Sequence, residues 1–209
     1  VDALGWAGVP PQDIHTVCDA GLSPNFTTRT RVPQSGQNLK FVAFGRFVPY
    51  KGYDLAIDAI AKSTTNVCLD IYGSGALQQT LEQQVAALGL KDRVTFKGWI
   101  DHAKLLEIAL QYRGFIFPSL AEANGIVMQE MMCLGIPVVC LDWGGPRTLA
   151  QEDAAIAVPP VSRALVIQHL AEAMDRLASD PSYANQIAEK AHRVALRDFP
   201  WNKVAASWM

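Results

Sequence analysis

Short apolar runs alternate along the chain with longer segments in which apolar residues recur at helical spacing. The runs LKFVAF (39–44), VCLDIY (67–72), VTFKG (94–98), GFIFP (114–118), PVVCL (137–141) and AIAV (155–158) are predicted as strands. The segments between them predict helices over 53–62, 76–88, 103–111, 125–134 and 146–150, followed by two more over 162–178 and 181–196. Asp180 and Pro181 suit the N-cap and first turn of the last helix. Near-continuous apolar strands separated by helices are the pattern of a parallel sheet covered on both faces. The expected fold is therefore α/β, a Rossmann-like parallel sheet of about six strands with helices on both faces. Residues 1–38, irregular and ending in the turn-forming SGQN, read as a lead-in segment and linker, and residues 39–209 as the folded domain. Neither an internal repeat nor a low-complexity tract interrupts the pattern.

Composition narrows the class. In 209 residues, 50% hydrophobic and only 18% charged, there is too much apolar material for a disordered chain. A net charge of -2 without a block of basic residues argues against nucleic acid as a partner. The apolar runs fall short of the roughly 18 residues that a membrane-spanning helix needs. The first residue is Val, and the opening VDALGWAGVPP has no basic start, which suggests a domain of a longer protein without a signal peptide. Cys18, Cys68, Cys133 and Cys140 sit in apolar contexts without a CxxC pair, so buried, reduced thiols and a cytoplasmic location are expected.

An open parallel sheet binds ligands beyond the carboxyl ends of its strands, which directs attention to the loops there. The first, GRFVPYKG (45–52), sets Arg46 and Lys51 between Gly45 and Gly52 just ahead of a helix. Arg donates as a fork, Lys acts as a point charge, and a helix N-terminus adds backbone donors, so a diphosphate would fit; two solvated surface cations are the plainer alternative. The loop is not a Walker A motif, because Tyr50 and Gly52 stand where glycine and Ser or Thr would be needed. In the second loop, GSGA (73–76), Gly73 permits close approach of a ligand, but Gln78 replaces the third glycine of a dinucleotide fingerprint. The next strand ends in Lys97 and Gly98 instead of an acid, which argues against a nicotinamide-dependent dehydrogenase.

The strongest signal is PSLAEANGIVMQEMMC, with Glu122 after a strand and Glu130 eight residues on. On a continuous helix that interval is about 12 Å along the axis, enough to grip two ends of an elongated ligand. A glycosidase pair would want about 5–9 Å. Plainer readings are a helix-start carboxylate for Glu122 and a solvated one for Glu130. Glu130, however, is surrounded by Val127, Met128, Met131 and Met132, where a carboxylate is costly unless it is paired or meets ligand hydroxyls. Asn124 and Gly125 would present backbone N–H groups to a phosphate. The loop DWGGPR (142–147) reads equally well as a plain strand-to-helix turn. His15, His102, His169 and His192 show no ligand spacing and read as surface or core filler; without an Asp-x-Asp triplet either, no metal site is expected.

Taken together, GRFVPYKGYDLAI, LDIYGSGALQQTLE, LGLKDRVTFKGWI, the Glu122–Glu130 spacing, LGIPVVCLDWGGP and FPWNKVA resemble, in order, the C-terminal half of the group-one retaining glycosyltransferases with the two-domain GT-B fold. The resemblance spans Leu39 to about Val204, with VPPQDIHTVCDAGLSPNF as a divergent lead-in. It implies a hexosyltransferase-type enzyme with a nucleotide-sugar donor, UDP-, GDP- or ADP-linked, and no cofactor. The acceptor domain would lie N-terminal to this chain, leaving the isolated domain nearly inactive. By the same resemblance Arg46 and Lys51 hold the diphosphate and Glu122 contacts the donor sugar, these three being the catalytic set. Glu130 binds the ribose, the backbone of Ala123, Asn124, Gly125, Ile126 and Val127 follows sugar and phosphate, and the base sits near the stretch from Gly98 to Ile100. Gly45 and Gly73 complete the donor site. The mechanism implied is retaining and metal-independent, with the departing diphosphate stabilised by Arg46, Lys51 and helix N-termini. Peripheral membrane association of the full-length enzyme stays open. Ala123 and Asn124 stand where the family usually carries Gly and Phe after the first glutamate, so the donor sugar does not carry over. A sugar-nucleotide epimerase of the same fold and a non-catalytic nucleotide-sugar-binding module are the alternatives; Glu122 disfavours the latter, since a nucleotide grip needs only Arg46, Lys51 and Glu130.

Overall fold

The computed structural model of the chain describes residues 10, 21, 22 and 39–206. The expected lead-in over 1–38, with His15 and Cys18, lies outside the described residues apart from Pro10, Gly21 and Leu22. Strands β1 (Lys40–Phe44), β2 (Cys68–Tyr72), β3 (Val94–Gly98), β4 (Gly114–Phe117), β5 (Val138–Leu141) and β6 (Ile156–Val158) form one sheet in the order β3-β2-β1-β4-β5-β6. All its pairings are parallel. The helices are α1 (Tyr53–Lys62), α2 (Gln78–Ala87), α3 (His102–Ala109), α4 (Ile126–Cys133), α5 (Gly144–Leu149), α6 (Arg163–Ser179), α7 (Pro181–Asp198) and α8 (Trp201–Ala206).

The central strands β1, β4 and β5 are buried along almost their whole length, which is why they read as unbroken apolar runs. Alternate residues serve opposite layers. Phe41 and Ala43 join Ile57 and Ile60 of α1 and Leu170 and Met174 of α6. Val42 and Phe44 join Leu105 of α3, Met128 and Met131 of α4 and Val194 of α7 on the other face. Cys133 and Cys140 are buried, and burial pushes their thiols up to about 11 and about 12, so neither is a reactive thiolate. Cys68, on β2, is only half-buried, short of the burial expected for it.

Helix boundaries differ where glycine is involved. The second helix starts at Gln78, not 76, because the turn before it is held by Leu77 N–H on the Phe47 carbonyl at 3.1 Å. Helix α5 starts at Gly144, two residues early, since Gly145 N–H bonds the Glu122 carbonyl at 2.8 Å and fixes a glycine pair that would otherwise be loop. Helix α8 was not expected; the Leu22 N–H bonds the Phe199 carbonyl at 2.8 Å and the Trp201 N–H bonds the Leu22 carbonyl at 3.1 Å, so tertiary contact supports it.

Helix α6 clamps α1 at both ends. Arg163 reaches Asp54 at 2.6 Å and Asp58 at 2.7 Å near the start of α1. Past its end, the Asp175 carboxylate accepts from Ser63 Oγ at 2.5 Å, Thr64 Oγ1 at 2.7 Å and Thr65 Oγ1 at 2.6 Å, and from the Thr64 and Thr65 amides at 2.8 and 3.2 Å. Burial alone would raise this carboxyl; the hydrogen bonds outweigh it and hold it at about 2, below its ordinary 3.8. A carboxyl depressed on folding contributes stability above its unfolded value that is lost as pH falls. Asp175→Ala should therefore destabilise the domain at pH 7 by about 1–2 kcal/mol, solvent screening included. The gap between variant and wild type should close as pH drops from about 4 towards about 2. Urea denaturation across that range checks this, and a gap independent of pH would rule out the carboxylate as its source.

Candidate functional site

The strand order reverses direction at β1, whose neighbours are β2 on one side and β4 on the other. The loops that follow β1 and β4 therefore diverge to opposite layers and leave a crevice between them. The β1 loop ends in a short 3-10 turn, Pro49–Lys51, and then Gly52, with a left-handed φ of 65°. A Cβ on Gly52 would strike the Pro118 carbonyl, so glycine is what lets this loop press against the end of β4. The result is an ion pair across the crevice, Lys51 Nζ to Glu122 Oε2 at 2.5 Å, with side chains only 15% and 22% exposed. The ammonium also lies 5.2 Å from the Phe117 ring centroid. Arg46 is exposed at the rim, its guanidinium donating to Tyr50 Oη at 2.9 Å.

The β2 loop closes on the β1 loop main chain to main chain. Gly73 has a φ of 142°, and a Cβ there would collide with the Gly45 carbonyl. The Gly45 N–H bonds the Tyr72 carbonyl at 3.0 Å, and the Phe47 N–H bonds the Ser74 carbonyl at 2.9 Å.

Glu130, on α4, is buried at 8% side-chain exposure. Its Oε1 lies 2.7 Å from Nε2 of His102, the first residue of α3. Burial pushes the Glu130 carboxyl above the ordinary carboxylate range, while the hydrogen bond and charge of His102 pull it part of the way back. Between these groups lies an open cavity of about 430 Å³.

Of the residues singled out in the sequence, Gly45, Arg46, Lys51, Gly73, Ile100, Ile126, Val127 and Glu130 line that cavity. Glu122 reaches it through Lys51. Ala123 and Asn124 occupy the adjoining turn, Gly125 is the N-cap of α4, and Gly98 ends β3 without lining the cavity. The spacing argument for the two glutamates needs correction, because the helix begins only at Ile126 and Glu122 precedes it. His102 is also not filler, since it pairs with Glu130, whereas His192 matches that reading, its Nδ1 2.6 Å from the Cys133 carbonyl oxygen. Trp99, within the stretch 98–100 expected near the base, lines the cavity as well, whereas Tyr72 carried no sequence signal of its own; the rule that ligand residues follow strand ends would also have reached His102 after β3.

An open parallel sheet with a cationic loop and two carboxylates at its topological switch defines a Rossmann-like ligand-binding domain of the kind found in GT-B glycosyltransferases. The family model "Glycosyl transferases group 1" matches residues 26–194, and the chain belongs to that family. It is 32% identical over 151 residues to the alpha-D-kanosaminyltransferase of Streptomyces kanamyceticus, covering 70% of this chain and 38% of that protein. It is 26% identical over 168 residues to the lipopolysaccharide core biosynthesis glycosyltransferase LpsE of Rhizobium meliloti, covering 80% of this chain and 48% of that one. The chain thus spans less than half the length of these relatives. Among solved structures, Anabaena HepE in complex with UDP and glucose superposes with a TM-score of 0.73 at 26% identity, over 82% of this chain and 47% of that one. Staphylococcus aureus TarM superposes with a TM-score of 0.80 at 20% identity, over 99% of this chain and 40% of that one, and shares the fold. Among the described residues no helix is long and apolar enough to cross a membrane.

The Glu130–His102 pair makes a direct prediction. His102→Ala leaves burial unopposed, so the Glu130 carboxyl should titrate at higher pH than in the wild type. A carbon-13 NMR titration of the Glu130 carboxyl checks it, and an unchanged titration would show that the imidazole is not its partner in solution.

Proposed function

We propose that this chain is the donor-binding half of a retaining glycosyltransferase that transfers a sugar, of hexose type, from a nucleotide-sugar to an acceptor held by a domain outside this chain. The observation that carries the reading is the convergence of Arg46, Lys51 and Glu130 on one cavity, with Glu122 beside it. Arg46 and Lys51 take the diphosphate, whose charge as leaving group is met by these cations and the α4 N-terminus without a metal. Glu130 accepts from the ribose hydroxyls; its raised carboxyl suits a group that exchanges an imidazole partner for ligand hydroxyls. Residues 98–100 flank the base, and Trp99, 72% exposed beside the cavity, is the natural surface for it to lie against. The main chain of residues 123–127 follows sugar and phosphate, and Glu122 contacts the sugar. In transfer, the bond from the anomeric carbon to the diphosphate oxygen breaks and a bond to an acceptor hydroxyl oxygen forms, with retention, the hydroxyl proton passing to the departing diphosphate. Alone, the domain binds a nucleoside diphosphate and transfers sugar very poorly. The buried thiols fit a cytoplasmic enzyme.

Arg46→Ala should weaken UDP binding to this chain by about 1.5–3 kcal/mol and affect uridine much less, because the contribution is a charge-assisted hydrogen bond to phosphate. Calorimetry with equal losses for both ligands would contradict it. The two glutamates should separate by ligand part. Glu130→Gln should weaken UDP and the UDP-sugar alike, while Glu122→Gln should leave UDP affinity nearly unchanged and raise the transfer barrier of the full-length enzyme by about 1–3 kcal/mol. Loss of UDP binding in Glu122→Gln with intact turnover per bound donor would overturn these roles.

A further inference from the structure

Tyr53, the first residue of α1, carries a buried hydroxyl that no protein group bonds. The residue is 3% exposed, its ring meets Phe47 edge-on with centroids 5.5 Å apart, and phenylalanine would fill the same space. Its oxygen is enclosed and has no hydrogen-bond partner. Buried hydroxyls are almost always bonded, because desolvation without a partner destabilises the fold. Where this one sits is informative. It abuts the α-carbon of Gly45, so that a Cβ there would lie 2.8 Å from the hydroxyl and 3.8 Å from Lys51 Cε. The hydroxyl therefore lies on the same side of Gly45 as the end of Lys51, the residue that pairs with Glu122. Burial first, then the negative charge of Glu122, then Tyr50, push the phenol above its ordinary range, so it stays protonated and can donate.

We propose that Tyr53 is a positioning residue for Glu122: its hydroxyl donates to the Glu122 carboxylate once Lys51 turns its N–H donors towards the diphosphate of a bound donor. The inference rests on the donor-site reading above. Lys51 donates to the Glu122 carboxylate, and a carboxylate has lone pairs for several donors. When a diphosphate draws the ammonium away, Glu122 would be left half-buried with reduced counter-charge. The buried Tyr53 hydroxyl supplies a neutral donor that keeps the carboxylate in place for the sugar without competing for the phosphates. The hydroxyl would thereby gain the partner that buried hydroxyls almost always have.

The test uses this chain, with UDP as probe, in the wild type, Y53F, E122A and Y53F/E122A. Y53F should leave the melting temperature of the free protein unchanged or raise it by up to about 4 °C, because it removes an unbonded buried hydroxyl. UDP affinity by calorimetry should fall about tenfold, the lower end of what a hydrogen bond to a charged group contributes. In the E122A background, where the acceptor is gone, the same change should cost under about twofold. A lowered melting temperature for free Y53F would show the hydroxyl to be bonded already and overturn the proposal. Equal UDP affinity for wild type and Y53F, or an equal loss in both backgrounds, would overturn it while leaving the donor-site reading intact. Failure of UDP to bind the wild-type chain would overturn both.

Discussion

The chain leaves β1 towards one layer of the molecule and β4 towards the other, and the Lys51–Glu122 ion pair joins the two departing loops over the gap. Without it two charges would face each other's absence in a half-buried crevice, a costly state in a low-dielectric setting. The pair also means that the charges of the site are matched among themselves, since Glu130 is likewise matched, by His102. A ligand that enters has to offer these groups better partners than they already have. On the reading proposed above, an anion with several oxygens does so for Lys51 and vicinal hydroxyls do so for Glu130.

The helix that follows the first loop ties this chemistry to the stability of the domain. At its start α1 carries Gly52 and Tyr53, both packed against the site, and just past its end Ser63, Thr64 and Thr65 converge on Asp175. The clamp by α6 at both ends leaves α1 little freedom to slide, and Lys51, two residues ahead of the helix, inherits that fixity.

Much of this was legible in the residues because each signal was local. β1, β4 and β5 declare themselves as unbroken apolar runs since both their faces are covered, and Glu130 stands out as a carboxylate among methionines. What escaped was set by contacts between distant segments. His102 opens a helix whose first residues are exposed, the usual place for a polar residue, and only folding sets it against Glu130. Tyr53 is one more apolar position on the buried face of α1 until its hydroxyl is seen to lack a partner. The early start of α5 depends on an amide bond from Gly145 to the Glu122 carbonyl, and α8 on Leu22, so neither has a cue in its own stretch.

The glycine contact between the first two loops sets where this site can change. Because Gly73 lies against the Gly45 carbonyl, that wall is main chain, and its shape and donors are the same whatever side chains surround it. Variation in what the site accepts falls to the walls made of side chains, such as Trp99, Ile100 and His102 after β3 and Ile126 and Val127 of α4. A lineage diverging towards a new ligand would keep one half of its pocket frozen while rewriting the other.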